Sequence, residues 1–320
     1  MTDSKPVLVS GVKPTGDLHI GNYFGAMRQF VELTKEGKYK PFIFIADYHA
    51  LNTMQDAEEM RRRTREIVMA YLAVGLDPKE VVFFKQSDVP AHAELCWIFD
   101  TITTMPYLMR AHAFKDAEAK NKEINVGTFN YPMLMAADIL LYDAAIVPVG
   151  ADQKQHIEIA RDTAEKFNRV FKTDVFKLPE PHILPEVAVV PGIDGQKMSK
   201  SYGNVIPLFG TREELAKAVM SIVTDSSGDR PENVYRIHRL FRSEVNLDAL
   251  YEEHRGNYKA LKEMLIEDLD RYLAPMRAKY EELQQDSSII DEVLSEGKRE
   301  ACAVSEAKME QVRRAIGVAY

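Results

Sequence analysis

At 320 residues the chain is too long for one small core and suits two domains. With 46% hydrophobic and 28% charged residues it has the make-up of a globular protein, and its longest near-apolar run, Ile67 to Leu76, is far too short for a membrane span. A net charge of −8 speaks against coating nucleic acid by bulk electrostatics, and the two cysteines, Cys96 and Cys302, belong to no CxxC or Cys/His cluster that would hold a metal.

Met1–Lys5 leads directly into an apolar strand, with no basic stretch ahead of a long apolar core. No secretory signal is expected, and the chain is read as cytoplasmic, with neither a membrane nor DNA as partner. Residues 7–10 (Val-Leu-Val-Ser) read as a short buried strand, broken by Gly11, Pro14 and Gly16. A helix follows from Leu18, with Tyr23, Met27, Phe30 and Val31 on one face, and Gly37 ends it. Phe42–Ile45 is a second strand, continuously apolar as in a parallel sheet covered on both faces. A helix over Asp56–Val74 carries Arg61, Arg62, Arg63 and Arg65 behind Asp56, Glu58 and Glu59, a spacing for ion pairs on a solvated face. Val81–Phe84 is a third strand. Strand and helix in alternation predict a Rossmann-like doubly wound α/β sheet.

Ala91 to about Ala119 reads as helical, interrupted at Pro106, and Lys115–Asn125 as a polar exposed segment. Tyr131–Tyr142 is an apolar helix bearing one acid, Asp138. Ala145–Val149 is a strand, and a helix runs from Gly150-Ala151-Asp152 to about Phe171. Pro179, Pro181, Pro185 and Pro191 mark irregular chain. Beyond about residue 205 no strand pattern remains. Thr211 and Glu214 form a capping box, and Leu261, Leu265, Leu269, Leu273, Met276, Tyr280 and Leu283 recur at helical spacing. The domains expected are therefore 1–204, α/β, and 205–320, all-α.

Two short stretches carry chemistry. His19-Ile20-Gly21-Asn22 sits where a Gly-rich turn opens a helix, an arrangement that aims free N–H groups at phosphate. Lys197-Met198-Ser199-Lys200-Ser201 places two ammonium groups on a loop between the α/β part and the helical part. Alone, the first could be an ordinary helix start and the second a solvated loop. Asp138, between Met-Ala-Ala and Ile-Leu-Leu, needs a partner, because an unpaired buried carboxylate is costly. That partner is either a structural hydrogen bond or ion pair, or a donor on a substrate.

These two stretches resemble the HIGH and KMSKS motifs of class I aminoacyl-tRNA synthetases. The blocks Ser10–Tyr23, Tyr131–Tyr142, Val147–Glu158 and Gly195–Ser201 further resemble, in order and spacing, the bacterial tryptophanyl-tRNA synthetase family. The resemblance implies tryptophan–tRNA ligase activity: L-tryptophan and ATP give tryptophanyl-adenylate and pyrophosphate, and tryptophan then passes to tRNA(Trp). It implies His19, Lys197 and Lys200 as catalytic residues. Gly11, Lys13, His19, Gly21, Asn22, Gly150, Asp152, Lys197, Met198, Ser199, Lys200 and Ser201 are implied to bind ATP. Val9, His49, Tyr131, Met135, Asp138, Val147, Val149 and Gln153 are implied to bind tryptophan, with Asp138 accepting the indole N–H and Tyr131 and Gln153 holding the α-amino group. Mg²⁺ is expected mainly on the ATP phosphates, with no protein metal site. A homodimer through roughly residues 75–170 and an anticodon-binding helical domain are implied as well. Arg236, Arg239 and Arg242, spaced by three, are the nominated RNA face.

Three positions depart from the family pattern: Lys13 where Gln is common, Val9 where an aromatic is common, and Ala117 where a basic residue often follows the Phe-Lys pair. Two other readings stay open: a tyrosyl enzyme of the same architecture, and a synthetase-like binding protein that no longer charges tRNA.

Overall fold

The apolar runs of the first half pair into one sheet. In a computed structural model, which describes residues 5–14, 16–119, 124–149, 154–183, 190–224 and 230–319, five strands are formed. They are β1 (Val7–Val12), β2 (Lys40–Ile45), β3 (Val82–Lys85), β4 (Ile146–Val149) and β5 (Glu180–Ile183), all parallel, in the order β3-β2-β1-β4-β5. The longest register pairs Val7 with Lys40 through Val12 with Ile45. The chain steps outward from β1 to β3, then returns to the other side of β1 for β4. Loops leaving the carboxyl ends of β1 and β4 therefore diverge and open a crevice, where ligands bind in sheets of this kind.

After β1 the chain runs through α1 (Ile20–Asn22), a π-turn (Tyr23–Met27) and α2 (Arg28–Lys35) as one helical segment. Beyond β2 come α3 (Asp47–Ala50) and α4 (Ala57–Ala73), the latter capped by Asp56, whose carboxylate accepts from the N–H groups of Glu58 and Glu59 at 2.9 and 2.8 Å. Arg62 and Arg63 of α4 pair along the helix as their spacing predicts, Arg62 with Glu59 and Glu66 and Arg63 with Glu59 at 2.7 Å, whereas Arg65 meets the distant Asp291 at 2.8 Å. Helices α5 (Ala91–Ile102), α6 (Met105–Leu108), α7 (His112–Ala119) and α8 (Val126–Leu140) precede β4, and α9 (Lys154–Val170) follows it. The helical part comprises α10 (Arg212–Met220), α11 (Glu232–His238), α12 (Glu244–Glu253), α13 (Tyr258–Gln285) and α14 (Ser288–Ala315). The Thr211–Glu214 capping box of α10 is formed in both directions, at 2.8 and 3.2 Å. Among the described residues no helix is long and apolar enough to cross a membrane.

Three features differ from the sequence expectation. The proline-rich chain around Pro181 contains β5, a strand; it lies at the sheet edge, where a residue without an N–H is tolerated. Helix α7 runs to Ala119, as expected, but α8 starts at Val126, ahead of the expected Tyr131, because Asn125 caps it, accepting from Thr128 N at 2.7 Å. Finally, α14 returns to the sheet and packs on β3. A Cβ at Gly297 would lie 1.9 Å from the Phe83 carbonyl oxygen, so only glycine lets this helix approach so closely. Buried Ala301, Met309 and Val312 of α14 join Val9, Phe44 and Phe84 in one apolar cluster. A second cluster joins Leu8, Ile43 and Phe83 to Leu265, Leu269 and Ile290.

Candidate active site

A cavity of about 390 Å³ opens where β1 and β4 part. Val9, Gly11 and Lys13 line it from the end of β1, His49 from α3, Tyr131, Met135 and Asp138 from α8, and Val147 from β4. Eight residues assigned from sequence to two ligands thus share one wall. Ser10, Phe44, Ala46, Ile139 and Pro148, not singled out from sequence, complete the lining. The position follows from the topology: a strand end contributes whatever side chains come last in its apolar run, and α8 lays its one acid against them.

Asp138 is fully buried and fully engaged on one oxygen. Oδ1 accepts from Gln86 Nε2 at 2.7 Å and from His92 Nδ1 at 2.6 Å; Oδ2 accepts from His49 Nε2 at 2.8 Å. Burial pushes its pKa up, but the hydrogen bonds of His49 and His92 outweigh this and bring it down to about 2. It is an anion at neutral pH. His92 also meets the Tyr142 hydroxyl at 2.8 Å through Nε2. Burial holds that phenol well above its usual range, so it remains a donor. The neutral His92 tautomer with hydrogen on Nδ1 satisfies both neighbours. The partner that the sequence demanded for Asp138 is therefore supplied by the protein three times over. A carboxylate offers about four lone-pair sites, so one remains, on Oδ2. Neither Gln86 nor His92 was anticipated. Gln86 had a readable signal, since it is the first residue past the carboxyl end of β3; His92 had none.

The second half of the site lies at the His19 turn. His19 N donates to Asn22 Oδ1 at 3.0 Å, and Asn22 and Tyr23 N–H groups turn back to the His19 carbonyl at 2.9 and 3.3 Å. The imidazole is buried, and its Nδ1 has no hydrogen-bond partner among the described residues. Burial first, and the charge of Lys200 second, lower its pKa to about 4, so it is neutral near pH 7. A Cβ on Gly21 would stand 2.8 Å from His19 Nδ1 and 3.2 Å from Met198 Cβ, so this glycine is what admits the lysine loop to the turn.

The loop is brought there by backbone pairing. Ile20 N donates to the Ile206 carbonyl and Leu208 N to the Leu18 carbonyl, both at 3.0 Å. Met198 is buried and its N–H meets the Val190 carbonyl at 3.0 Å. Buried Asn204 organises the rest: Oδ1 accepts from Ser199 N at 2.8 Å, and Nδ2 donates to Asp194 Oδ1 at 2.7 Å and to the Lys197 carbonyl at 3.2 Å. Ser199 and Ser201 hydroxyls meet at 2.9 Å. Lys13 and Lys197 are exposed and without ion pairs among the described residues, while Lys200 reaches the turn. Lys200 beside the turn suits an anionic ligand, but the helix start does not offer the free N–H groups expected from sequence: those of His19, Ile20, Asn22 and Tyr23 are already paired within the protein.

Gly150, Asp152 and Gln153 lie outside the described residues, and Val149 is placed as the last residue of β4. The Tyr131 hydroxyl stands 2.5 Å from His156 Nε2. The nominated RNA face does not form one stripe. Helix α11 ends at His238, and Arg242 turns to buried Asp268, with Nη2 at 3.0 Å from Oδ1, while His238 meets Oδ2 at 2.9 Å. Arg242 therefore anchors α13. Arg236 and Arg239 remain exposed.

Comparison with known proteins bears on the whole chain. The family model described as tRNA synthetases class I (W and Y) matches residues 1–288. A tryptophan–tRNA ligase of Fusobacterium nucleatum subsp. nucleatum is 46% identical over 318 residues, covering 97% of both chains. One from Rhodopirellula baltica is 42% identical over 320 residues, covering 97% of this chain and 99% of its own. Among solved structures, the Campylobacter jejuni tryptophanyl-tRNA synthetase complexed with ADP and tryptophan superimposes with a TM-score of 0.90 at 42% identity, covering 97% of this chain and 99% of that one.

Proposed function

The chain belongs to the class I tRNA synthetases of the W and Y type, and from that premise we propose that it is a tryptophan–tRNA ligase. The observation that carries this reading is the cavity between β1 and β4: largely apolar walls close on an anionic carboxylate with one unused lone pair, and Gly11 and Lys13 line the same space from the end of β1. Tryptophan lies with its indole N–H toward Asp138 and its α-amino group toward Tyr131 and Gln153. ATP lies along Gly11, Lys13, His19, Gly21 and Asn22, with Gly150 and Asp152 at the ribose and the lysine loop over its phosphates. A carboxylate oxygen of tryptophan attacks the α-phosphorus, the bond to pyrophosphate breaks, and the mixed anhydride forms. A ribose hydroxyl of the terminal adenosine of tRNA(Trp) then attacks the activated carbonyl and releases AMP. No protein nucleophile is needed; positioning and charge stabilisation supply the rate.

Mg²⁺ suits this donor set as an ion carried by the nucleotide. The described side chains at the turn are cationic or neutral, and the one carboxylate there, Asp17, is already paired with Lys200 and Arg63. When bound it neutralises phosphate charge. Work with ATP and tRNA suits a cytoplasmic protein. Residues 1–204 form the catalytic part, and the helical part from about residue 205 meets the anticodon, with Arg236 and Arg239 as its remaining basic candidates.

The test is ATP–pyrophosphate exchange with each of the twenty amino acids. Exchange with tryptophan alone is expected. Exchange driven by tyrosine would move the chain to the tyrosyl branch, and none at all would favour a non-charging binding protein.

A homodimer through roughly residues 75–170 is proposed on the strength of exposed apolar side chains there. Trp97 is 71% exposed, Met105 66%, Met109 45% and Val126 80%, on contacting helices α5, α6 and α8. Large exposed apolar side chains on neighbouring helices suit a surface that another chain covers. Trp97 is the chain's single tryptophan, so its fluorescence reports directly. The expected result is a blue-shifted emission that moves to the red on dilution, and a Trp97→Glu variant with half the wild-type molar mass by light scattering. A wild-type chain that is monomeric at micromolar concentration would remove this interface.

A further inference from the structure

We propose that Asp17 is a positioning residue for Lys200, parking the loop ammonium at the His19 turn until the phosphates of ATP displace it. This rests on the reading of Lys200 as a phosphate ligand. Asp17 precedes His19 by two residues. Its Oδ2 accepts from Lys200 Nζ at 3.1 Å and its Oδ1 from Arg63 Nη1 at 3.0 Å. One carboxylate thus joins the lysine loop, the nucleotide turn and α4. The two cationic heads crowd over Gly16, where a Cβ would lie 2.5 Å from Lys200 Nζ and 2.6 Å from Arg63 Cζ.

The three members are not equivalent. Arg63 is largely buried and does not depend on Asp17, because Glu59 holds its Nε at 2.7 Å and Glu66 its Nη1 at 3.3 Å. It is a fixed post. Lys200 has Asp17 as its only ion-pair partner among the described residues. Asp17 itself is 81% exposed, so its side chain contributes little to the core. The hydrogen bonds from Lys200 and Arg63 hold its carboxyl below the usual range, and it stays charged at any pH where the enzyme works. The carboxylate therefore has one mobile client. An exposed pair of this kind is weak, as a latch must be if a polyphosphate is to break it. Breaking it still draws on the binding energy of ATP, so ATP binds less tightly than it would to a free Lys200.

The test is the equilibrium affinity for ATP, without amino acid, in a double-mutant cycle of Asp17→Asn and Lys200→Met, with melting temperatures to check folding. Asp17→Asn is expected to tighten ATP binding about two- to fivefold in the Lys200 background, and to leave it unchanged in the Lys200→Met background. Asp17→Glu keeps the charge and is expected to bind ATP within twofold of wild type. Equal tightening in both backgrounds would mean that Asp17 merely repels phosphate, and would overturn the proposal. So would an unchanged or weakened affinity in Asp17→Asn. A wild-type chain that binds no ATP would overturn the functional reading and this inference together, an outcome distinct from the other two.

Discussion

Asp138→Ala raises the KM for tryptophan in pyrophosphate exchange and erodes a preference over phenylalanine that in the wild type is ~10⁴ or more. A site built around a buried acceptor rejects a substrate that lacks the matching donor, because the acceptor is then left short of a partner. Here that shortfall is one lone pair on Oδ2, since Gln86, His92 and His49 occupy the others. The same contacts add a second effect. Removing the carboxylate strands three donors, two of them on residues with no exposed surface, at roughly 1–3 kcal/mol for each one left unpaired. The variant should therefore melt well below wild type, and kinetics must be read on its folded fraction. Discrimination that survives in that fraction would make Asp138 a structural anchor only, and the indole would have to be recognised elsewhere.

Lys200→Ala lowers kcat for exchange by ~10² or more, roughly 3 kcal/mol, with a smaller change in the KM for ATP. Charge builds on the departing pyrophosphate as its bond to the α-phosphorus breaks, and a cation that follows it gains energy chiefly in the transition state. In the ligand-free protein part of that cation's interaction is spent on Asp17. Losing Lys200 then costs little in ground-state affinity, which reinforces the expected split. A large rise in KM with kcat intact would make the loop a ground-state binder.

Much of this was legible in the chain because it is local. Apolar runs of four or five residues separated by helical periods predicted β1 to β4. Side chains at the carboxyl ends of those strands fell into the site because a parallel sheet offers its ligands that end. The His19 turn and the lysine loop could be named because each carries its chemistry within five residues. The need of Asp138 for partners could be read from its apolar neighbours, since the cost of a bare buried charge does not depend on where the partner comes from.

The identity of those partners was another matter. Gln86 and His92 lie 52 and 46 residues from Asp138, and nothing in their own surroundings points to it. Arg242 looked like one of three evenly spaced surface cations, yet its guanidinium belongs to Asp268, 26 residues on. The strand around Pro181 was hidden because proline argues against a strand unless the strand lies at an edge, and edges exist only once the sheet has formed. The return of α14 onto β3 rests on Gly297 meeting the Phe83 backbone, a contact across 214 residues that a glycine in a helical pattern does not announce. Sequence periodicity reports which face of an element is apolar. Which element it meets, and which polar group completes which, is decided when the chain closes and each buried donor must find an acceptor already there.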